Sequence, residues 1–184
     1  MRLELRSLLG TDLAREAHAA LVTDELTRAA PSSVVVLDFA EITAVTSAFV
    51  RRAVVDAVRT WGPTDGPALS VMNVTGETAA GLYDVLGPER ITLFEALRLS
   101  VAAPEIVRGR LVGAELDKAL RETLAIVVAA AGRVTAPQLQ IDDPHRRTPT
   151  AWNNRLNDLA ARSLIRREQS GRRWSYWAYV KEIV

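Results

Sequence analysis

The sequence predicts a mixed α+β / α/β chain in two parts: a small layer domain of strands and helices over residues 1–103, a connector over 104–114, and a unit of three helices and a hairpin over 115–184. Three observations predict it. Strand-like and helix-like apolar patterns alternate through the first hundred residues, as they do where helices pack on a small sheet. After Glu115 leucine and valine recur at helical steps, and the chain closes on basic and aromatic residues around Ser170-Gly171. Charge divides at the same place: residues 1–114 hold 11 Arg/Lys against 14 Asp/Glu, and residues 115–184 hold 12 against 8. The basic end is where a polyanion would bind.

Taken in order, Arg2 to Arg6 alternates and predicts a first strand. Thr11 to Ala30 reads as a helix with Leu13, Ala17, Ala20 and Leu21 at helical spacing and Asp24 as a candidate continuation, ended by Pro31-Ser32-Ser33. The β-branched run Val34–Phe39 suits a central strand covered on both faces. Thr46 to Trp61 predicts a second helix, with Phe49, Val50, Ala53, Val54, Ala57 and Val58 inward and Arg51, Arg52, Asp56 and Arg59 outward. A Gly/Pro loop at 62–67 leads to a strand over Ala68–Val74, and a short helix then runs through Leu86 until Gly87-Pro88 closes it. Ile91–Leu97 fits a strand or a helix, and Pro104–Gly113 reads as the connector.

Leu116, Leu120, Leu124, Val127, Val128 and Ala131 make one apolar stripe on a helix that starts acidic and stops at Gly132. Arg133-Val134 can pair briefly as a strand. Thr135 caps a short second helix, Ala136 to Ile141, with Pro137 in its first turn. Thr148 or Thr150 caps a third helix reaching about Ser163, with Trp152, Leu156, Leu159 and Ala160 inward. Its opposite face shows Thr150, Ala151, Asn153, Asn154 and Asn157. Asparagine is a poor helix former, so three of them on one exposed face point to a role beyond folding, such as reading adenine edges in a major groove. Leu164 to Tyr179 is then a hairpin with a glycine turn.

Three helices and a basic hairpin make a winged helix-turn-helix. The stretch TPTAWNNRLNDLAARSLIRREQSGRRWSYWAYV resembles the recognition helix and wing of bacterial winged-helix regulators, with Ser163 where a glycine is customary. The resemblance implies double-stranded DNA as partner, and the expected contacts are Arg146, Arg147, Thr148, Thr150, Asn153, Asn154, Asn157, Arg172 and Arg173, with Arg166 and Arg167 in the same basic set. Trp174, Tyr176, Trp177 and Tyr179 are expected mainly in the small unit's core, with base stacking as the alternative. A fragment of residues 112–184 is expected to carry the binding.

The stretch VVVLDFAEITAVTSAFVRRAV resembles the STAS-like domains, relatives of the anti-sigma-factor antagonists, through Asp38, Phe39, Thr46, Ser47 and Phe49. Asn73, after the next strand, continues it. The resemblance covers about residues 1–100 and implies an interaction module that dimerises or receives a regulatory protein partner. In the antagonists the helix-opening serine of an Asp-Ser-Ser-Gly motif is phosphorylated by a partner kinase. Ser47 stands at that position, with Val45 and Ala48 in place of the aspartate and glycine. From the residues alone, Thr46 and Ser47 read as caps of the helix that follows.

Composition bounds the rest. With 48% hydrophobic and 24% charged residues the chain is expected to fold throughout. The absence of cysteine excludes disulfides, thiol nucleophiles and thiolate metal sites, and suits a reducing compartment. MRLELRSLLGTD does not read as a secretory signal, and the longest apolar run, Leu124–Ala131, is far short of the roughly 20 residues of a membrane span. A cytoplasmic protein is expected. No phosphate-cradling loop or metal-ligand motif appears; His18 and His145 stand alone, and Asp38 and Glu41 are turn residues before they are acid–base candidates. The expected function is therefore a homodimeric, cofactor-free DNA-binding transcription regulator and not an enzyme. The competing function is a partner-switching protein of the antagonist type.

Overall fold

A computed structural model describes residues 1–13, 16–30, 33–61, 66–100, 105–143 and 147–184. In chain order, β1 (Arg2–Glu4), α1 (Leu5–Leu9), β2 (Asp12–Leu13) and α2 (Glu16–Thr27) precede β3 (Val34–Asp38) and β4 (Ala44–Val45). Helix α3 (Ser47–Val50) passes through a π-helical turn, Arg51–Val55, into α4 (Asp56–Trp61), followed by β5 (Ala68–Met72), α5 (Gly76–Leu86), β6 (Thr92–Leu99) and β7 (Ile106–Gly113). The remainder is α6 (Lys118–Ala129), α7 (Ala136–Ile141), α8 (Pro149–Ala161) and a hairpin of β8 (Arg166–Ser170) and β9 (Arg173–Trp177). The chain is thus a mixed α/β protein around a mostly parallel sheet of order β1-β3-β5-β6-β7, in which only β7 runs antiparallel to its neighbour.

Both faces of that sheet are covered, and β3 shows why its sequence is a continuous apolar run. Side chains alternate across a strand. Val35 and Leu37 point into a core made with α2, α3, α4 and α5, which includes Leu26, Phe49, Val54, Leu69 and Leu82. Val34 and Val36 point the other way, into a second core shared by Ala68, Phe94 and Ala96 of the sheet and Leu120, Leu124, Trp152, Leu159 and Tyr179 of the C-terminal part. The C-terminal helices therefore form the third layer of one structure.

The chain sews that layer on in two further ways. Residues 179–184 run parallel along the outer edge of β7, where Ile106 N–H donates to Tyr179 O (3.3 Å), Lys181 N–H to Ile106 O (2.9 Å) and Val184 N–H to Gly109 O (3.0 Å). This covers a strand edge that would otherwise invite other chains. Arg166 of β8 is buried and donates to two backbone carbonyls of the sheet half, Ser33 O at 2.6 Å and Gly66 O. Burial pulls its pKa below the ordinary guanidinium value.

Four expectations are corrected. The first strand stops at Glu4, where α1 begins. Helix α2 begins at Glu16 and buries Ala19, Val22 and Leu26, so Ala17, Ala20, Leu21 and Asp24 face outward and Leu13 is buried from β2. Apolar residues lie all round that helix, and spacing alone does not choose between two faces. In the second helix the π turn, bonded to the fifth residue rather than the fourth, turns less per residue than an α-helix, so Ala53, Val54 and Val55 are all buried while Val58 is only half so. The connector is, over 106–113, strand β7. Its Arg110 Nε donates to the buried Glu95 of β6 at 2.6 Å, and Gly113 lies at φ 95° where a Cβ would meet Ile91 O at 2.4 Å. Ile91–Leu97, left open between strand and helix, belongs chiefly to β6. Pro31, Ser32, residues 62–65 and Pro104 lie outside the described residues.

Asp38 closes β3 and is 2% exposed. Its carboxylate accepts from Asn73 Nδ2 (2.7 Å), from Ala40 N–H (2.9 Å), which makes the expected turn, and from Arg2 Nε (2.9 Å). Burial alone would raise its pKa, but the bonds from Asn73, Ala40 and Arg2, with the charge of Arg2, outweigh it and hold the carboxyl below the usual value. A depressed folded pKa stabilises above the unfolded value, about 3.9, and that contribution is lost as pH falls through the folded one. Asp38→Asn is expected to cost about 1–3 kcal/mol at neutral pH, since Arg2 stays free to reach water. It should also flatten the fall of stability below about pH 4, which urea unfolding across pH measures. An unchanged acid limb would show that Asp38 does not carry it.

Candidate nucleic-acid interface

Local signals build the C-terminal unit. Asp117 caps α6 by accepting from Leu120 N–H (2.8 Å), and Thr135 caps α7 in a reciprocal box with Gln138. Val134 then pairs with Tyr176 through two N–H···O bonds of 2.8 Å. Thr148 caps α8, accepting from Ala151 N–H at 3.2 Å, with Pro149 in the first turn. The end of α8 is a Schellman turn: Leu164 N–H donates to Leu159 O (3.0 Å), Ser163 N–H donates to Ala160 O (2.9 Å), and Ser163 takes the left-handed φ of 58° that glycine would take more cheaply. The hairpin turns at Gly171-Arg172 with Gly171 at φ 60°, as a two-residue turn of type II′ requires at its first position.

This frame sorts the candidate residues. Thr150 and Asn154 are exposed on α8, with Asn153 half-buried beside them, and Arg172 and Arg173 are exposed at the hairpin turn. Neither of the two arginines has an ion pair among the described residues. Thr148 is occupied as the cap. Asn157 is not a free reader: its Oδ1 accepts from Arg167 Nη1 (2.9 Å) and Tyr176 Oη (3.0 Å), which ties α8 to both strands of the hairpin. Arg147 is engaged within the unit, with Nη1 on Asp143 (2.9 Å), Nη2 near Glu122 (3.7 Å) and the guanidinium 5.4 Å from the Trp152 ring. Arg166 is the buried link to the sheet, and Arg167 lies over Trp174 at 4.7 Å. Arg146 lies outside the described residues.

The aromatic set divides. Tyr176 and Tyr179 are core residues; Tyr179 meets Phe94 edge to face at 5.5 Å, and burial raises its phenol pKa. Trp174 and Trp177 are half-buried, each under an arginine, with Arg133 4.4 Å above Trp177. Two features were not anticipated. Asp158 stands exposed on the same stripe of α8 as Thr150 and Asn154, countered by Arg162 at 3.1 Å. Ile141, at the end of α7, is 82% exposed and lines a groove of about 400 Å³ with Asn153, Arg172, Arg173 and Trp174. No periodicity marks Ile141 as outward, so the sequence carried no signal for that groove.

Ser47 lies on the helix layer at the opposite face of the sheet from α8 and is exposed. The cap there is Thr46, which accepts from Phe49 N–H at 3.3 Å; Ser47 caps nothing. His18 is half-buried with Nδ1 unpartnered, and His145 lies outside the described residues. Among the described residues no cluster of three or more metal-ligating side chains occurs, and no helix is long and apolar enough to cross a membrane. The chain matches no family model, no curated protein and no solved structure.

Proposed function

We propose that the chain is a cytoplasmic DNA-binding regulator whose C-terminal unit acts as a winged helix on duplex DNA. The observation that carries this is the pair Arg172 and Arg173, exposed and without ion pairs among the described residues at the turn of a hairpin, beside the first half of α8 with its exposed Thr150 and Asn154. A flexible cationic pair reaches phosphates or a narrow minor groove, while the N-terminal residues of a recognition helix meet base edges. Thr150 and Asn154 are the readers on this view, and Asp158 keeps the later part of α8 from the phosphates. The STAS-like half holds the reading unit rigidly through the shared core. A homodimer would pair through the helix layer, since the sheet's other face is covered by the chain itself. The exposed, non-capping Ser47 favours a second role of that layer, as a surface for a regulatory protein.

Binding of the full chain to duplex DNA should weaken steeply with salt, and R172A/R173A should weaken binding to all sequences and lower the slope of log affinity against log salt by about 2. Asn154→Ala should cost about 1–3 kcal/mol on a selected site and much less on scrambled DNA. Fluorescence anisotropy at several salt concentrations measures both. Affinity indifferent to salt and to the double substitution would end the proposal.

A further inference from the structure

The groove between α7 and the hairpin has a chemistry that a closed duplex does not use. Pro137 and Ile141 of α7 and Trp174 of β9 give it an apolar wall, Asn153 adds an amide, and Arg172 and Arg173, without ion pairs among the described residues, add two cations at its rim. Ile141 is the most exposed large apolar side chain among the described residues, and the core makes no use of it. Trp174 is held in place by the stacked Arg167, itself hydrogen-bonded to Asn157, so this wall is built before any ligand arrives. Duplex DNA offers phosphates and base edges outward and keeps its base faces stacked inside. An unpaired nucleotide offers all that the groove lacks: a flat apolar face for Trp174 and Ile141, a Watson–Crick edge for Asn153, and a phosphate for the arginines.

We infer that this groove takes an unpaired nucleotide of a DNA strand, at a duplex end or a locally opened site. The inference rests on the DNA-binding reading above and deepens it: the hairpin turn grips the backbone where a base has left the stack. The stacking of one base on an aromatic side chain corresponds to about 5- to 150-fold in affinity.

The test compares the full chain on three probes: a short blunt duplex, the same duplex with an unpaired thymine overhang, and the overhang strand alone. The overhang duplex is expected to bind about 5- to 150-fold more tightly than the blunt one. Ile141→Ser, a change at a solvent-facing position, and Trp174→Ala should each remove most of that gain while leaving blunt-duplex affinity within about twofold, and Trp174→Phe should keep it. Equal affinity for blunt and overhang duplexes, or a gain that survives both Ile141→Ser and Trp174→Ala, overturns the inference and leaves the duplex-binding reading standing. No binding to any probe at low salt overturns both.

Discussion

A fragment of residues 112–184, cut from the sheet, is expected to lose its fixed tertiary structure and with it any DNA binding of its own. The charge split of the sequence, with its basic C-terminal end, predicts the opposite: a fragment that binds DNA by itself. The shared core is the reason to expect the loss. Leu120, Leu124, Leu159, Ile165, Tyr179 and Val180 share one continuous apolar cluster with Val34, Val36, Ala68, Phe94 and Ala96, which belong to the other half. A 73-residue piece deprived of those partners keeps part of the core but exposes the apolar face that packs on the sheet, and a chain that short has little burial to spare against its chain entropy. Arg166 would lose both its carbonyl acceptors, and residues 179–184 the strand they lie along. The full chain should melt in one cooperative transition, and the fragment should show weak near-ultraviolet circular dichroism and a broad, featureless melt. A fragment that melts sharply and binds DNA like the full chain would show that the shared core is dispensable.

The second large effect concerns Phe94, which is fully buried on β6 and meets Tyr179 at 5.5 Å with the rings nearly perpendicular. Phe94→Ala removes a side chain from the sheet, yet the cavity opens in the core that carries α6 and α8. A loss of about 3–5 kcal/mol is expected. Hydrogen exchange locates it: amides of α6 and α8 should lose protection together with those of β6, because one cooperative unit opens. Exchange that quickens in the sheet alone, with α6 and α8 as protected as before, would mean that the layers open separately.

How much of this was legible depended on the range of the signal. From α6 to β9 the elements follow from neighbours in sequence: an apolar stripe at steps of three and four after an acidic start, the caps Thr135 and Thr148, Pro137 in a first turn, and Gly171 between two strands. β3 was legible because a short, β-branched, continuous apolar run, Val-Val-Val-Leu, suits a strand covered on both faces. β7 was not, because Ile-Val-Arg-Gly-Arg-Leu-Val-Gly carries two arginines and two glycines whose reasons lie elsewhere in the chain: Arg110 answers Glu95, and Gly113 avoids Ile91.

The site divides in the same way. Position at a glycine turn marks Arg172 and Arg173 as outward. Nothing in residue type separates them from Arg147, Arg166 and Arg167, because an arginine meant for a carboxylate, a carbonyl or an aromatic ring looks the same in sequence as one meant for a phosphate. Asn157 teaches the converse. A residue that costs a helix stability reads in sequence as a reader of bases, and in the structure it is the joint between α8 and its hairpin.

The covering of the sheet's second face by residues far along the chain has a consequence during synthesis. Strands β1, β3, β5 and β6 are all complete by Leu99, yet Val34, Val36, Ala68 and Phe94 find their cover only when residues 116–180 have been made. At about 5–20 residues per second, the stretch from Leu99 to Val180 leaves an interval of roughly 4–16 s in which an assembled sheet presents a bare apolar face to the cell. The nascent chain, rather than the finished protein, is therefore where slow translation, an aggregating mutation or a chaperone would act most strongly.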